Sequence, residues 1–402
     1  MNKIDLLLNS FVEKKMAAGA SALVTKNGRE AYFGSYGLAD LSESTPLERD
    51  SVLRVYSMTK PVTAAAAMML IDRGVFSLDT PVGEFLPEFS RTPVCQEIDG
   101  RVEIVPAKRP MTIFNLLTMT SGISYGDNNS INAATSVSNS YISKLMQEML
   151  MDENSGEKGE KDEKIDTVYF ARRLGECPLC FHPGDEWRYG MSTDVLGAVI
   201  VAASGKPLSE FLRENIFAPL GMESTCFVNP GAPEHIIKRL AKTYIPTAKG
   251  LVEKKRSLMF ELSSNSCAEL HSGGAGLIST LDDFARFGNM LLNDGELNGE
   301  RLLKAETVRL MHTRQLNDRQ QATFHQPDRN GYSYGLTMRV LENPSLTDYC
   351  ESKGSFGWNG AAGTSLRMDP VKKTVTVFGC QRIPAEHELF LPALTQAISE
   401  TI

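Results

Sequence analysis

Strand-like segments lie at the two ends of this chain, with a mainly helical stretch between them. Near the N-terminus, residues 22–25 and 30–33 flank Asn27-Gly28, a dipeptide that strongly predicts a two-residue hairpin turn. Three later segments alternate or run apolar as strands do: residues 334–340, 363–368 and 374–380. Because helices separate the two groups of strands, we predict an α+β fold whose antiparallel sheet is built from the N- and C-terminal segments. Helices would flank this sheet, and a mainly helical region would be inserted between its two halves.

The length of 402 residues suggests two or three domains, or one large composite domain. The positions of the strands predict an α/β region formed by residues 1–80 and 256–402, and a mainly helical region at 81–255. Within the second region, residues 152–166 are charged and of low complexity, and we expect them to be a solvated insertion. Apolar periodicity and end signals predict helices at residues 57–73, 112–120, 193–204, 207–217, 281–292, 304–314 and 384–402.

Charge and residue counts narrow the classes of function. The 42 Lys and Arg residues against 49 Asp and Glu give a net charge of −7, which argues against nucleic acid or an anionic membrane as the main partner. None of the six His residues has the spacing of a zinc-binding helix, so we expect neither a metal nor a cofactor.

The first residues are typical of an amphipathic helix capped by Asn2 rather than of a signal peptide, and no apolar run is long enough for a membrane span. Seven scattered Cys residues predict reduced, buried thiols and a cytoplasmic protein.

Ser57 and Lys60 form the first motif that could carry chemistry. A separation of three residues places both side chains on one face of a helix. A serine hydroxyl is a weak nucleophile that needs a neighbouring base, and a lysine amine can be that base only when burial lowers its pKa toward ~7–8. The apolar residues Val62, Ala64–Ala67 and Met68–Leu70 predict such burial. Because this spacing also arises by chance in a chain of this length, the alternative is a plain N-cap serine.

Two further segments could contribute to the same site. Tyr189 precedes the predicted helix 193–204, and a tyrosine beside a lysine can be held partly as phenolate and accept a proton. The alternative is a buried tyrosine with a hydrogen-bonded hydroxyl. Residues 356–364 contain three glycines, which allow a backbone to approach a ligand closely, so that an N–H group there could complete an oxyanion hole. The alternative is a simple glycine-rich turn.

Taken in this order, the three segments resemble the class C β-lactamase-like serine hydrolases, and the resemblance covers most of the chain. That superfamily includes class C β-lactamases, certain DD-peptidases, and the family VIII carboxylesterases with related acyltransferases. The resemblance implies a β-lactamase/transpeptidase-like fold, with Ser57 as the acylated nucleophile and Lys60 with Tyr189 as the proton-transfer pair. It also implies that the N–H groups of Ser57 and Ala361 bind the oxyanion. The other residues that it implies at the substrate site are Trp358, Asn359 and Gly360.

Two departures from the pattern bear on the substrate. β-Lactamases and DD-peptidases usually carry Lys or His, then Thr or Ser, then Gly in the third segment, and the cation helps to bind a substrate carboxylate. This chain has Trp358-Asn359-Gly360 there, and it has Met191 where those enzymes usually place Asn after the tyrosine. A Trp at this position resembles the family VIII esterases, which act on uncharged acyl esters.

We therefore expect a serine hydrolase that acts through an acyl-enzyme on an ester of a small or medium acyl group. It would be a carboxylesterase or an acyltransferase with a small-molecule ester or amide substrate. One alternative is a β-lactamase or a D-alanyl-D-alanine carboxypeptidase/D-aminopeptidase-type activity. A second alternative is a catalytically degenerate protein that serves as a binding or sensor module.

Two other segments match catalytic patterns. Gly122-Ile-Ser124-Tyr-Gly126 has the spacing of a nucleophile elbow, but that elbow requires a strand before it and a helix after it. A predicted helix precedes this segment, so we interpret the match as accidental. His271-Ser272-Gly273 has the residue types of the cationic third segment, but it precedes a helix and follows Tyr189 too soon for the family order.

Overall fold

The computed structural model describes residues 2–126, 132–155, 165–228, 231–255, 269–324 and 329–402. The strands in these ranges, in chain order, are β1 (Gly19–Lys26), β2 (Arg29–Asp40), β3 (Thr45–Pro46), β4 (Leu53–Arg54), β5 (Pro93–Ile98), β6 (Arg101–Pro106), β7 (Cys226–Phe227), β8 (Tyr244–Thr247), β9 (Gly250–Glu253), β10 (Leu277–Ser279), β11 (Glu296–Leu297), β12 (Glu300–Arg301), β13 (Tyr332–Tyr334), β14 (Arg339–Leu341), β15 (Phe356–Gly360), β16 (Thr364–Asp369) and β17 (Thr374–Gly379). The α-helices are α1 (Lys3–Glu13), α2 (Thr59–Asp72), α3 (Ile113–Leu117), α4 (Ala133–Ser155), α5 (Thr167–Gly175), α6 (Ser192–Ser204), α7 (Leu208–Leu212), α8 (Ala218–Leu220), α9 (Glu234–Ile237), α10 (Leu281–Leu292), α11 (Ala305–Met311), α12 (Asp318–Thr323) and α13 (Leu391–Thr401).

Both ends of the chain contribute to one eight-stranded sheet, in the order β13-β14-β15-β16-β17-β1-β2-β3. All neighbouring strands in it are antiparallel, and β17 pairs with β1 to join the C-terminal strands to the N-terminal ones. The turn between β1 and β2 is the expected one, because Asn27 and Gly28 have φ of 53° and 73°, the left-handed values of a type I′ hairpin. The predicted α+β fold with a sheet from both termini is confirmed.

Helices cover both faces of this sheet. Successive residues of a strand point to opposite faces, and on β17 Phe378 packs against Phe11 of α1 and Phe390 near α13, at ring-centre distances of 6.5 and 6.0 Å. Val375 and Val377 point to the other face, where they belong to the main apolar core together with residues of α2, α6 and α10. The sheet therefore separates a small core beside the chain termini from a larger core that contains α2.

Helix α2 is the most deeply buried helix near the candidate site. All of its residues from 59 to 70 are buried, as expected for a helix that is apolar on every side. Pro61 occupies its first turn, where a missing N–H group has no intrahelical partner to lose, and Gly74 follows its end with φ of 73°. The predicted helix 57–73 is confirmed, except that its start forms a separate 3₁₀ turn, Tyr56–Met58.

Two local predictions were wrong. The segment 334–340 is not one strand, because a turn at 335–338, with Thr337 at φ of 63°, divides it between β13 and β14. Residues 81–255 contain two hairpins that the sequence did not predict, β5–β6 and β8–β9. The first hairpin turns at Asp99-Gly100, with φ of 48° and 74°, so a hairpin signal was present in the sequence. The predicted C-terminal helix starts only at Leu391, after a 3₁₀ turn at His387–Leu389.

The division into two regions stays a prediction. Of the charged insertion 152–166, residues 156–164 lie outside the described residues. Within the described ranges, no single helix is long and apolar enough to cross a bilayer, although α6 and the segment Leu208–Leu220 pass that test together as a bent pair.

A buried ion pair holds the sheet together behind the candidate site. Arg367 Nη2 donates to Glu351 Oε2 at 2.7 Å, and the two side chains are only 6% and 9% exposed. Burial acts to raise the pKa of Glu351, but the charge and hydrogen bonds of Arg367 outweigh it and hold that pKa below its ordinary value. The pair therefore stabilises the fold above the unfolded-state pKa of Glu, about 4.3, and this contribution is lost as the pH falls through the folded-state value.

Glu351→Gln is expected to lower the free energy of unfolding by about 3–5 kcal/mol, because it leaves the buried Arg367 without its counter-charge. Urea titrations of both proteins between neutral and acidic pH measure this difference, which should shrink as acid protonates Glu351 in the wild type. Glu342→Gln is the matched control, since Glu342 is exposed. Equal losses in the two variants would contradict the prediction.

Candidate active site

Ser57 lies in a 3₁₀ turn that leads directly into α2. Its neighbours Tyr56 and Met58 are buried, whereas Ser57 is partly exposed. Tyr56 has φ of 43°, a left-handed conformation that costs a non-glycine residue about 1–2 kcal/mol and is found preferentially at functional sites. The turn thus presents the Ser57 hydroxyl at the N-terminal end of a long helix, where backbone N–H groups favour developing negative charge.

Lys60 is fully buried in the first turn of α2. Its Nζ donates to Ser57 Oγ at 3.2 Å, to Tyr125 Oη at 2.8 Å and to the Gly274 carbonyl oxygen at 2.8 Å. The same nitrogen lies 4.8 Å from the centre of the Tyr189 ring. The amine therefore touches the candidate nucleophile and one phenol, and it faces a second phenol.

Tyr189 is held by the indole of Trp358. Trp358 Nε1 donates to Tyr189 Oη at 3.0 Å, and the two ring centres are 5.4 Å apart. This hydrogen bond and the ring contact fix the orientation of the Tyr189 phenol. The structure brings Tyr189 and Trp358 together, as the resemblance implies, and gives Trp358 a direct contact with Tyr189.

Tyr125 also belongs to the site, although the sequence did not predict it there. Its ring lies 5.4 Å from that of Tyr189 in an edge-on arrangement, and its hydroxyl accepts from Lys60. Burial raises the pKa of Tyr125 well above its ordinary value, and the nearby Tyr189 and Asp194 raise it further. Tyr125 is therefore held as a neutral phenol that can accept from Lys60 while donating elsewhere.

Tyr125 comes from the segment that resembles a nucleophile elbow. Within it, Ser124 is fully buried and donates to Asn139 Oδ1 at 2.6 Å, so its hydroxyl has a structural partner. The interpretation of this match as accidental is consistent with that geometry. The only signal for Tyr125 in the sequence was its place inside this match, next to Ser124.

Asp194 anchors the loop that holds Lys60 from the other side. Its Oδ1 accepts from Ser272 Oγ at 2.5 Å and from the Gly274 N–H at 3.2 Å, while the Gly274 carbonyl accepts from Lys60. A Cβ atom at Gly274 would lie 2.5 Å from Asp194 Oδ2, so a larger residue there would displace the carboxylate. Burial raises the pKa of Asp194 and the charge of Lys60 opposes that rise. A buried carboxyl group is thus placed close to the buried amine.

His271 does not supply the cation missing from the third segment. Its ring lies 4.9 Å from that of Phe227, and burial lowers its pKa below the ordinary value. The 271–273 segment is instead part of the loop that accepts from Lys60.

The third segment lies directly against the turn that carries Ser57. Residues 356–360 form strand β15, and a Cβ atom at Gly360 would lie 2.2 Å from the Val55 carbonyl oxygen. Ala361 packs into the same small apolar cluster as Tyr56. The absence of a side chain at Gly360 therefore permits the close approach that places Ala361 beside the turn that carries Ser57.

Asn359 is engaged in the sheet. Its Oδ1 accepts from Arg339 Nη2 at 2.8 Å and from Ser365 Oγ at 2.9 Å. These contacts occupy its side-chain oxygen on the neighbouring strands β14 and β16. Its role at the substrate site, like the oxyanion roles of Ser57 and Ala361, stays a prediction.

No disulfide links the cysteines in the described ranges, and Cys177 and Cys180 are both buried. Burial raises the pKa of Cys177 to about 11, which keeps its thiol protonated and unreactive. Cys267 lies outside the described residues. Within the described ranges, no three His, Cys, Asp or Glu side chains are grouped so as to hold a metal ion.

Comparison with known proteins gives consistent matches along the whole chain. The family model described as Beta-lactamase matches residues 7–391. Esterase EstB of Burkholderia gladioli is 29% identical over 91% of this chain and 86% of its own length. Monacolin J acid methylbutanoyltransferase of Aspergillus terreus is 28% identical over 82% of this chain and 77% of its own length. Among solved structures, EstCE1, a hydrolase with promiscuous acyltransferase activity, is similar with a TM-score of 0.77 at 23% identity, covering 98% of this chain and 97% of that one.

Proposed function

The chain belongs to the Beta-lactamase family, and within it we propose a serine hydrolase that acts through an acyl-enzyme on an ester of a small or medium acyl group. The observation that carries this proposal is the position of the Lys60 amine between the Ser57 hydroxyl and the phenols of Tyr125 and Tyr189. A nucleophile in contact with a base that other groups orient is the usual arrangement for covalent catalysis. The similarity to esterase EstB supports an ester as the substrate.

In the first step, Ser57 Oγ attacks the ester carbonyl carbon and its proton passes to Lys60 or, through Lys60, to Tyr189. The carbonyl π electrons move onto the oxygen, which becomes the oxyanion of a tetrahedral intermediate. We assign the N–H groups of Ser57 and Ala361 as its donors, each contributing about 3 kcal/mol to the stabilisation of the transition state in comparable sites. Collapse of the intermediate breaks the ester C–O bond, and the leaving alcohol takes the proton that Ser57 lost.

In the second step, the acyl group passes from Ser57 to a new acceptor. A water molecule, or a second alcohol, attacks the acyl carbon while the same basic groups take its proton. Water gives a carboxylesterase and an alcohol gives an acyltransferase, so one site supports both activities. The similarity to the methylbutanoyltransferase of Aspergillus terreus favours acyl transfer as the second candidate.

Trp358 favours an ester over a β-lactam or a D-alanyl peptide. Its indole N–H is directed to Tyr189, so this position supplies an uncharged donor to the phenol and no cation to a substrate carboxylate. The contacts among Ser57, Lys60 and Tyr189 argue against a degenerate binding or sensor protein, because such a protein has no need of a nucleophile in contact with a buried amine.

A paired assay tests the reaction class. We expect p-nitrophenyl esters of graded acyl length to be hydrolysed with a kcat/KM at least about 100-fold above that of a chromogenic cephalosporin. Ser57→Ala serves as the blank for both substrates. Faster turnover of the cephalosporin would overturn the preference for esters, and turnover of neither substrate with no labelling of Ser57 would favour the sensor alternative.

The location of the protein and its division into two regions are also part of this proposal. We propose a cytoplasmic location, supported by buried thiols such as Cys95 and Cys177, whose pKa values burial raises to about 11. We also propose that residues 1–80 with 256–402 and residues 81–255 are the two regions between which the site lies. The partner of the site would be a small-molecule ester or amide.

A further inference from the structure

The carboxyl group of Asp194 is buried and directed at the loop that holds Lys60. The residue is only 2% exposed. Its Oδ1 accepts from Ser272 Oγ and from the N–H group of Gly274, whereas its Oδ2 is buried without a hydrogen-bond partner in the described ranges. A Cβ atom at Gly274 would lie 2.5 Å from Oδ2, so the second oxygen also lies against this glycine. Both carboxylate oxygens therefore face the residue whose carbonyl accepts from Lys60.

A carboxylate oxygen without a hydrogen-bond donor in the interior needs a compensating charge nearby, because removing a charge from water is costly. Lys60 is fully buried and donates to the Gly274 carbonyl at 2.8 Å, so one residue separates its amine from the carboxylate. Opposite charges attract more strongly in such an interior than in water. Burial raises the pKa of Asp194, and the charge of Lys60 opposes that rise.

Two phenols also face Lys60. Tyr125 Oη accepts from its Nζ at 2.8 Å, and the ring centre of Tyr189 lies 4.8 Å from the same nitrogen, with Arg329 over that ring at 5.9 Å. Burial raises the pKa of Tyr125 well above its ordinary value, so this phenol stays neutral. In ordinary surroundings a phenol titrates near pH 10 and a carboxyl group near pH 4. Among these groups, Asp194 is therefore the one that supplies a negative charge to the resting site.

We propose that Asp194 is a positioning residue, whose carboxylate balances the charge of Lys60 and thereby sets the pH range in which that amine accepts the Ser57 proton. This inference rests on the proposed function and gives a role to a residue that does not touch the reacting atoms. Gly274 binds both partners, since its N–H group donates to Asp194 and its carbonyl accepts from Lys60. A nearby negative charge favours an ammonium ion over a neutral amine. Loss of that charge should let Lys60 act as a base at lower pH.

Asp194→Asn removes the charge and keeps the shape of the side chain. The amide oxygen can still accept from Ser272 and Gly274, so the loop keeps its contacts. For a p-nitrophenyl ester, we expect the acidic limb of the kcat/KM profile to move to lower pH by about one unit. The kcat on the plateau should fall about tenfold, because a weaker base accepts the serine proton, and KM should stay within about twofold.

Thr63→Val is the matched control. Thr63 Oγ1 donates to the Gly273 carbonyl at 2.7 Å, so it holds the same loop without a charge. This variant should lower the plateau and leave the acidic limb where it is in the wild type. A limb that stays in place in Asp194→Asn, or that moves equally in both variants, would overturn the proposal, because Asp194 would then only hold the loop.

Unfolding temperatures give a second test that does not depend on turnover. Removing one of two buried counter-charges leaves the other unbalanced, whereas removing both leaves neither. Asp194→Asn should lower the unfolding temperature by about 5 °C, and the Lys60→Met/Asp194→Asn double variant should recover part of that loss. Equal or greater loss in the double variant would contradict the pairing.

The double variant also decides the case in which Asp194→Asn does not fold. Folding of the double variant would then support the proposal, and failure of both variants to fold would overturn it, because the carboxylate would serve the fold alone. Absence of ester turnover in the wild type would reject the proposed function. The unfolding temperatures would still show whether Asp194 balances the charge of Lys60.

Discussion

Ser57→Ala is expected to abolish ester turnover, with kcat/KM falling by about 10⁴- to 10⁶-fold, because it removes the atom that forms the acyl-enzyme. The Ser57 side chain is partly exposed, and alanine removes only its hydroxyl. We therefore expect the variant to keep the thermal unfolding temperature of the wild type. Steady-state hydrolysis of a p-nitrophenyl ester, with thermal unfolding beside it, measures both quantities.

Covalent labelling tests directly whether Ser57 is the nucleophile. An active-site phosphonate should add its mass to the peptide that contains Ser57 and fail to label Ser57→Ala. Ser124→Ala is the matched control, because Ser124 is the other serine in a hydrolase-like motif, but it is fully buried and bonded to Asn139. That change should lower stability through the lost hydrogen bond and leave labelling intact. An adduct on Ser124 would transfer the role of nucleophile to the 122–126 segment.

The parts of this site that follow local rules were predictable from the sequence. The three-residue separation of Ser57 and Lys60 fixes their contact once α2 forms, and the apolar residues after them make that helix a core element. The sheet from both termini follows in the same way, because period-two segments flank a turn at Asn27-Gly28.

The contacts between distant segments were not predictable in this way. Tyr125 reaches Lys60 across 65 residues of sequence, on a loop whose path depends on Gly122 and Gly126 at φ of 87° and 69°. Arg329 meets the site through four rings from three separate segments. Loop conformation decides such contacts, and neither hydrophobic period nor residue spacing encodes it.

The importance of Asp194 was predictable from the sequence, but its partners were not. It is the one charged residue in helix α6, and a buried acid in such a helix indicates a structural or functional partner. The sequence therefore carried a sign that Asp194 mattered. Its partners, Ser272 and the N–H group of Gly274, come from a loop nearly eighty residues away, and only the fold identifies them.

Lys60→Ala is expected to lower kcat by on the order of 10⁴-fold, nearly as much as the loss of Ser57. Ser57, Lys60 and Tyr189 transfer one proton in the proposed reaction, so removing any one of them disables the step that all three serve. For the same reason, the Lys60→Ala/Tyr189→Phe double variant should be little slower than Lys60→Ala alone, although Tyr189→Phe by itself should be strongly impaired. Tyr125→Phe removes only a hydroxyl that accepts from Lys60, so we expect a smaller loss, about tenfold. Kinetics of all four variants on one p-nitrophenyl ester measure this non-additivity.

The control for Lys60 must separate chemistry from folding, because Lys60 is buried beside the carboxyl group of Asp194. Lys60→Met keeps the volume of the side chain without its amine, and it should be as inactive as Lys60→Ala while filling the cavity that alanine leaves. Added methylamine should restore part of the activity to Lys60→Ala, where space for it exists, and none to Lys60→Met. If Lys60→Ala or Lys60→Met kept most of the wild-type rate while Ser57 still formed the acyl-enzyme, another group would have to take the serine proton, and the assignment of Lys60 as the base would be wrong.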